Sequence, residues 1–238
     1  MPAAGRAESA KRRPDILAGM TDVNVAGTMT CPLCLQDAAF FCADRTRSYY
    51  RCGVCKLAFA DPGSHLSPEL ERAEYDQHEN NPEDEGYRSF LGRLAEPLLA
   101  RLEPGMHGLD YGCGPGPTLS VMLAERGMVV DDYDPIYAPD TRLLQRRYDF
   151  VACTEVVEHF CRPAVAWRQL ASLVRPGGWL GIMTLLAPAD AGAFSQWWYK
   201  NDPTHVSFYS AGTFDWLAKS MGFAVEEIDE RVLLMERT

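Results

Sequence analysis

The chain has 238 residues, 47% of them hydrophobic and 24% charged, a composition that builds one globular domain of ordinary size with room for a small appendage. Its net charge of −10 argues against a protein that coats nucleic acid, since phosphate contacts need clustered Lys and Arg. It has no run of about 18 apolar residues, the length a membrane span requires.

Lys11, Arg12 and Arg13 are followed by no apolar stretch of the kind a signal peptide carries. The expected location is therefore the cytoplasm, a reducing compartment in which paired cysteines more often hold metal than form disulfides. Residues 1–28, rich in Ala, Gly, Arg and Pro and without periodicity, are expected to be a disordered tail, and Met20 or Met29 is an alternative start.

Cys31-Pro-Leu-Cys34 and Cys52-Gly-Val-Cys55 are two C-x2-C units separated by seventeen residues, in a module bounded at 29–60. Two thiolates on one tight turn approach an ion from one side, and a second such turn completes a tetrahedron of about 2.3 Å Zn–S bonds. Gly53 relaxes the second knuckle, and the intervening segment with Phe40, Phe41, Tyr49 and Tyr50 is read as a short β-hairpin. So short a module cannot build a core of its own, so a structural zinc on Cys31, Cys34, Cys52 and Cys55 would supply its folding energy. Unligated cysteines or an iron site are the alternatives. Arg45, Arg47, Arg51 and Lys56 against Asp37 and Asp44 give residues 31–60 a net charge of +2. The module is then either a positive knob that grips RNA or a structural lid on the following domain, the second being preferred.

Residues 61–86 hold Glu69, Glu71, Glu74, Asp76, Glu79, Glu83, Asp84 and Glu85 with Arg72 opposing them, and read as a solvated acidic connector. From 87, Phe90, Leu91, Leu94, Leu98, Leu99 and Leu102 recur at helical spacing, with Pro97 expected to kink the helix.

Residues 107–117, His-Gly-Leu-Asp-Tyr-Gly-Cys-Gly-Pro-Gly-Pro, are followed by an apolar-periodic helix from Thr118 to Arg126. This is strand, glycine-rich turn, helix. Gly112, Gly114 and Gly116 let the backbone pass close to a ligand that faces the helix N-terminus. Asp110, two residues before the first glycine, suits a cationic amino-acid group and would repel a pyrophosphate. A nicotinamide-dinucleotide fold would place a third glycine where Pro117 stands.

The segment resembles motif I of class I S-adenosylmethionine-dependent methyltransferases, acidic-x-Gly-x-Gly-x-Gly, and the resemblance runs from about residue 87 to the C-terminus. A second motif follows as Val129-Val130-Asp131-Asp132-Tyr133-Asp134-Pro135, a fourth as 148–160, then Leu-Val-Arg-Pro-Gly-Gly at 173–178 and a strand at Trp179–Leu185. The resemblance implies that Asp134 accepts from both ribose hydroxyls and that Thr154 joins Asp110 and the three glycines in holding S-adenosylmethionine. The thirteen residues between Asp134 and Tyr148 are half of what the family uses for a helix, a third strand and an adenine-contacting acid. The third strand is therefore expected to be short or absent, with Asp140 a weak candidate for the adenine.

Glu155, Glu158 and His159 stand at i, i+3 and i+4 where the fourth strand gives way to a helix, a spacing that puts them on one helical face. His205 lies in 197–210, before a helix at Gly212–Met221. Two carboxylates and two imidazoles suit magnesium, manganese or a similar ion. Here the chain resembles the small-RNA 2′-O-methyltransferases and the O-methyltransferases of ubiquinone synthesis, in which Glu-x-x-Glu-His holds a metal. The same pattern is also common in metal-free small-molecule methyltransferases; there, His205 or His159 would act as general base, or the cluster would be structural. Trp197, Trp198 and Tyr199 follow the fifth strand, where the family places its acceptor pocket, and are candidates for stacking on a planar substrate. The end of the chain, 222–238, reads as two strands joined near Asp229 and Glu230.

The expected fold is α/β: a Rossmann-like doubly wound sheet over 87–238 with a C-terminal antiparallel hairpin and a shortened third-strand region, plus the small zinc ribbon. The expected activity is methyl transfer from S-adenosylmethionine to an oxygen, or a nitrogen, of a small molecule. An RNA methyltransferase gripping its substrate through the zinc module is the runner-up, and a non-catalytic cofactor-binding partner protein the contrasting class. Neither the Asn/Asp-Pro-Pro-Tyr/Phe motif of amino-group methylation nor the Pro-Cys pair of cytosine C5 enzymes is present.

Overall fold

Strand β5 (His107–Tyr111) lies inside the larger sheet, one strand from its edge, with Leu109 fully buried and parallel neighbours on both sides, β6 (Val129–Tyr133) and β7 (Tyr148–Thr154). β8 (Val174–Met183) continues the parallel set beside β7. The antiparallel hairpin β10 (Phe223–Glu227) and β11 (Val232–Arg237) then closes the far edge, as the sequence led us to expect. The order β10-β11-β8-β7-β5-β6 puts β6 on an edge, without a third strand beyond it. The short stretch after Asp134 makes only a bridge to Ala138 and a single 3-10 turn at Leu143–Gln145. This is a computed structural model, and it describes residues 27–77 and 80–238. Residues 1–26 of the expected tail, and Glu79 of the acidic segment, lie outside the described residues.

Helices cover both faces of the sheet. On one, α2 (Glu85–Leu99) packs Leu91, Leu94, Ala95 and Leu98 against Phe150, Met183 and Leu234. It starts two residues earlier than its apolar pattern because Asp84 caps it, accepting from the amides of Gly86 and Tyr87. Pro97 sits in its last turn, where the helix is about to end. On the other face, α4 (Pro163–Leu173) and α6 (Ala211–Met221) bury Trp167, Leu170, Phe214 and Leu217. α6 starts at a capping box in which Ser210 and Thr213 satisfy each other's backbone amides.

Two parts of the sequence reading need correction. The acidic stretch 61–86 is not only a connector: Ser67 caps a helix, α1 (Pro68–Tyr75), whose residues face the main cleft. Glu69 and Glu74 lie on its exposed side while Glu71 turns to the cleft, so composition alone hid the element. The N-terminal module, with strands β1 (Thr28–Thr30), β2 (Asp37–Ala43), β3 (Ser48–Cys52) and β4 (Ala58–Ala60), is also not separate from the rest. Its sheet is completed by β9 (Ser207–Phe208), which comes from beyond the central strands. A two-residue strand carries no pattern of its own, so this pairing was invisible in the sequence.

Candidate active site

Parallel strands that leave β5 in opposite directions open a crevice at their carboxyl ends. Here that crevice is a cleft of about 1050 Å³ lined from β5, β6, β7, α1, α2 and the segment before β9. Its first wall is the loop after β5. Gly112 takes φ +84°, and a side chain on it would meet Val156 at 2.4 Å; one on Gly116 would reach the carbonyl oxygen of Asn80 at 2.0 Å. Both therefore have to be glycine. Helix α3 (Thr118–Glu125) follows with no side chain capping its first turn, and Thr118 and Leu119 stand in the cleft wall. The first amides of a helix left uncapped in this way are open to a ligand.

Asp110, the penultimate residue of β5, is only 2% exposed, and its Oδ1 has no hydrogen-bond partner. Burial, reinforced by Asp132 and Asp134, pushes its carboxyl up to about 8. A buried, unpaired acid is costly unless a cation neutralises it. Asp134 follows β6, where its Oδ1 accepts from the amides of Ile136 and Tyr137 and its Oδ2 from Gly114 at 3.2 Å. It thereby ties its own turn to the glycine loop while lining the cleft. Thr154 lines the same wall, as does Gly114. Asp140 does not: it stands outside the cleft lining, with Arg142 holding both of its oxygens, at 2.8 and 2.7 Å.

Residues of the acidic segment form the opposite wall. Tyr137 donates to Asp76 at 2.7 Å, joining the end of α1 to the turn that Asp134 organises. Tyr75 places its ring edge-on to His159 with centroids 5.2 Å apart. Neither Tyr75 nor Asn80 was singled out from the sequence, since both sit among charged residues with no motif around them.

Deeper in the cleft the acid–histidine residues gather, but not on one helical face. After β7 the chain makes only a 3-10 turn, Val157–His159, and Glu155 adopts φ +52° in the left-handed region. Glu155 is held by Arg231, whose Nη1 donates to both its oxygens at 2.9 Å, and it meets Glu158 only through the Tyr199 hydroxyl that both carboxylates share. Glu158 is fully buried, takes a short hydrogen bond from the Tyr199 hydroxyl, and leaves Oε2 without a partner. Burial pushes its carboxyl up to about 7. His159 and His205 face each other with ring centroids 4.8 Å apart. A Glu158 carboxylate oxygen and one nitrogen from each ring lie within 4.8 Å of one another, and Glu155 is not in this group.

Each imidazole has one nitrogen committed. Nδ1 of His205 lies 2.7 Å from the Tyr199 carbonyl and Nδ1 of His159 lies 3.2 Å from that of Thr204. A carbonyl only accepts, so the proton sits on Nδ1 in both rings and each Nε2 keeps its lone pair. Burial and the neighbouring His159 lower His205 to about 4, with Asp202 opposing, and burial also lowers His159. Both rings are therefore neutral near pH 7.

The three aromatic candidates divide. Trp198 is 63% exposed and lines the cleft mouth. Tyr199 lines the cleft too, but it is buried and its hydroxyl is spent on Glu155 and Glu158. Trp197 packs half-buried against the core residues Phe194 and Phe208 and does not line this cleft. Arg231, which the sequence reading overlooked, lies in the β10–β11 turn and reaches the site only through the hairpin's return to β8.

At the other end of the chain, Cys31 Sγ lies 3.5 Å from Cys55 Sγ and Cys34 Sγ 3.3 Å from Cys52 Sγ, all four within 4.8 Å. A tetrahedron of about 2.3 Å bonds has edges of about 3.8 Å, so the thiols fit zinc. Each knuckle turns through a left-handed residue just after its second cysteine, Leu35 at φ 63° and Lys56 at φ 62°; Gly53 does not serve that purpose.

Residues 77–228 match the family described as methyltransferase domain. The chain belongs to the class I S-adenosylmethionine-dependent methyltransferases. Among relatives of this methyltransferase is the ubiquinone biosynthesis O-methyltransferase of Leptothrix cholodnii, 32% identical over 114 residues, covering 38% of this chain and 48% of that protein. The namesake from Parvibaculum lavamentivorans is 32% identical over 125 residues, with 52% and 47% covered. The chain thus spans about half the length of the curated relatives it matches. A solved 1,6-didemethyltoxoflavin-N1-methyltransferase from Burkholderia thailandensis is similar in fold, with TM-score 0.52 over 83% of this chain and 98% of that one at 13% identity. No helix among the described residues of the methyltransferase is long and apolar enough to cross a membrane.

Proposed function

We propose that the methyltransferase acts on a hydroxyl group of a small, planar acceptor, with His205 as the general base. The observation that carries this is the pair of neutral imidazoles in the cleft wall, each with Nδ1 fixed to a backbone carbonyl and Nε2 free. The names of the relatives support an oxygen acceptor. The cofactor supplies an electrophilic methyl group on a sulfonium. His205 takes the hydroxyl proton on Nε2, and Asp202, 3.8 Å from that nitrogen, stabilises the imidazolium that results. Tyr75 and Trp198 give the acceptor flat walls, so that the oxygen is held in line for attack.

On the cofactor side, Asp110 is the counter-charge for the amino-acid cation, Asp134 and Thr154 take the ribose side, and the glycine loop allows close approach. Below pH 8 the Asp110 carboxyl is protonated, whereas an ammonium group binds its ionised form. Binding at pH 7 should therefore release about one proton, and affinity should rise with pH until about 8. Calorimetry in buffers of different ionisation enthalpy measures this. Asp110→Asn should abolish the release and weaken binding by about 1.5–3 kcal/mol; an unchanged proton count would remove Asp110 from that role.

A divalent ion on Glu158, His159 and His205 is the second reading, favoured by the three ligand atoms within 4.8 Å and the unpartnered Glu158 Oε2. Two imidazoles and one carboxylate suit manganese or another imidazole-binding metal better than magnesium, which prefers oxygen ligands. Such an ion would act as a Lewis acid toward the acceptor oxygen. The four cysteines hold a structural zinc in this proposal. The cytoplasm is the proposed location.

The test is product formation. Labelled S-adenosylmethionine is offered with catechols, simple phenols, aromatic amines and RNA. Methyl ether on a hydroxylated aromatic is the expected product. Methyl on nitrogen or on RNA, or cofactor binding without any turnover, would refute the reading.

A further inference from the structure

The most heavily bonded contact between the cysteine module and the rest of the chain lies beside His205. Arg47, at the turn before β3, is 8% exposed, and its guanidinium donates to four carbonyls of one segment, residues 200–205. Nη1 reaches the carbonyls of His205 at 2.9 Å and Pro203 at 3.4 Å; Nη2 reaches that of Asp202 at 3.0 Å and makes a short bond to that of Lys200. Asp44, on the same turn, accepts from Lys200 Nζ at 2.9 Å and from the Tyr49 hydroxyl at 2.8 Å. Lys200 is 3% exposed, whereas Asp44, on the outer side of the pair, keeps its side chain 25% exposed.

Just beyond, the Ala60 amide donates to the Val206 carbonyl and β4 pairs with β9, while the Val206 amide donates to the Glu158 carbonyl. The module therefore grips the Lys200–Val206 segment along its whole length, and that segment carries His205, whose Nδ1 bonds to the Tyr199 carbonyl one residue before it. An arginine presents five donors in a rigid plane, which suits several carbonyls converging from one loop. A lid would need only apolar contact, and an RNA grip would need its arginines exposed. Here Arg47 is buried and Arg51 is spent on the carbonyls of Pro188 and Ala189.

We propose that the four-cysteine module is a scaffold for the acceptor side of the active site, and that Arg47 is the positioning residue through which it holds His205. This rests on the reading of His205 as the base. The cofactor half of the cleft, built on β5 and β6, receives none of these Arg47 and Asp44 bonds. Loosening the clamp should therefore leave cofactor binding alone and damage the acceptor step.

The experiment compares Arg47→Met, Arg47→Lys and His205→Ala in the full chain. Arg47→Met should keep its metal content and its calorimetric affinity for S-adenosylmethionine, while kcat falls by about 10²-fold, the scale of a misplacement near 1 Å. Arg47→Lys, which keeps the charge and some of the donors, should recover part of kcat. If His205→Ala turns over at the parent rate, the reading of the site fails and Arg47 is beside the point. If His205→Ala is dead while Arg47→Met is as fast as the parent, the positioning role is overturned. Loss of cofactor affinity in step with kcat in both Arg47 variants, or failure of both to fold, would make Arg47 a general structural residue and equally overturn it.

Discussion

Purified protein is expected to carry about one zinc per chain by elemental analysis, and stripping it should have the largest effect of any treatment on stability. Apparent binding free energies of structural zinc sites are about 10–16 kcal/mol at pH 7, and little apolar core of the module's own stands behind this one. Cys52→Ser should lower the zinc content sharply, because Cys52 Sγ is one corner of the thiol cluster and sits 3.3 Å from Cys34 Sγ. Because β4 pairs with β9, the damage should spread to the acceptor segment and not stop at residue 60. Limited proteolysis of the stripped protein should cut in 197–206 as well as in the module. Protein that contains neither zinc nor iron and is still folded would end the metal reading of the cysteines.

His205→Ala should lower turnover by about 10²–10⁴-fold, the usual contribution of a positioned general base. Cofactor affinity should survive, since His205 shares no hydrogen bond with Asp110, Asp134 or the glycine loop. The chelator experiment decides between base and metal, provided the zinc content is followed in parallel so that loss of the module is not mistaken for loss of a catalytic ion. A simple base keeps its activity in chelator. An ion held by Glu158, His159 and His205 loses it, and manganese should restore it. If neither chelation nor His205→Ala alters turnover, the cluster is structural.

Much of this was already determined by local chemistry in the sequence. Asp110 and the glycines after it are a short-range pattern in the sequence, with Gly112 and Gly114 answering to positive φ in the turn itself, and β5, the turn and α3 follow in order; the need for glycine at 116 comes from distant Asn80. The missing third strand was a matter of counting residues between Asp134 and Tyr148. Two C-x2-C turns are likewise self-contained, and the fold brings their four thiols together.

What the tertiary structure decided were contacts between residues far apart in the chain that carry no periodicity. Glu155 shares the spacing of Glu158 and His159, yet it is held by Arg231, seventy-six positions away. Of three adjacent aromatics, Trp197 packs against the core, Trp198 stands at the cleft mouth and Tyr199 bridges two carboxylates. Arg47 counted in the sequence as one more positive charge on a knob. It became a clamp only once β9 completed the module's sheet and four carbonyls, 153–158 positions away, had to be satisfied in a buried place.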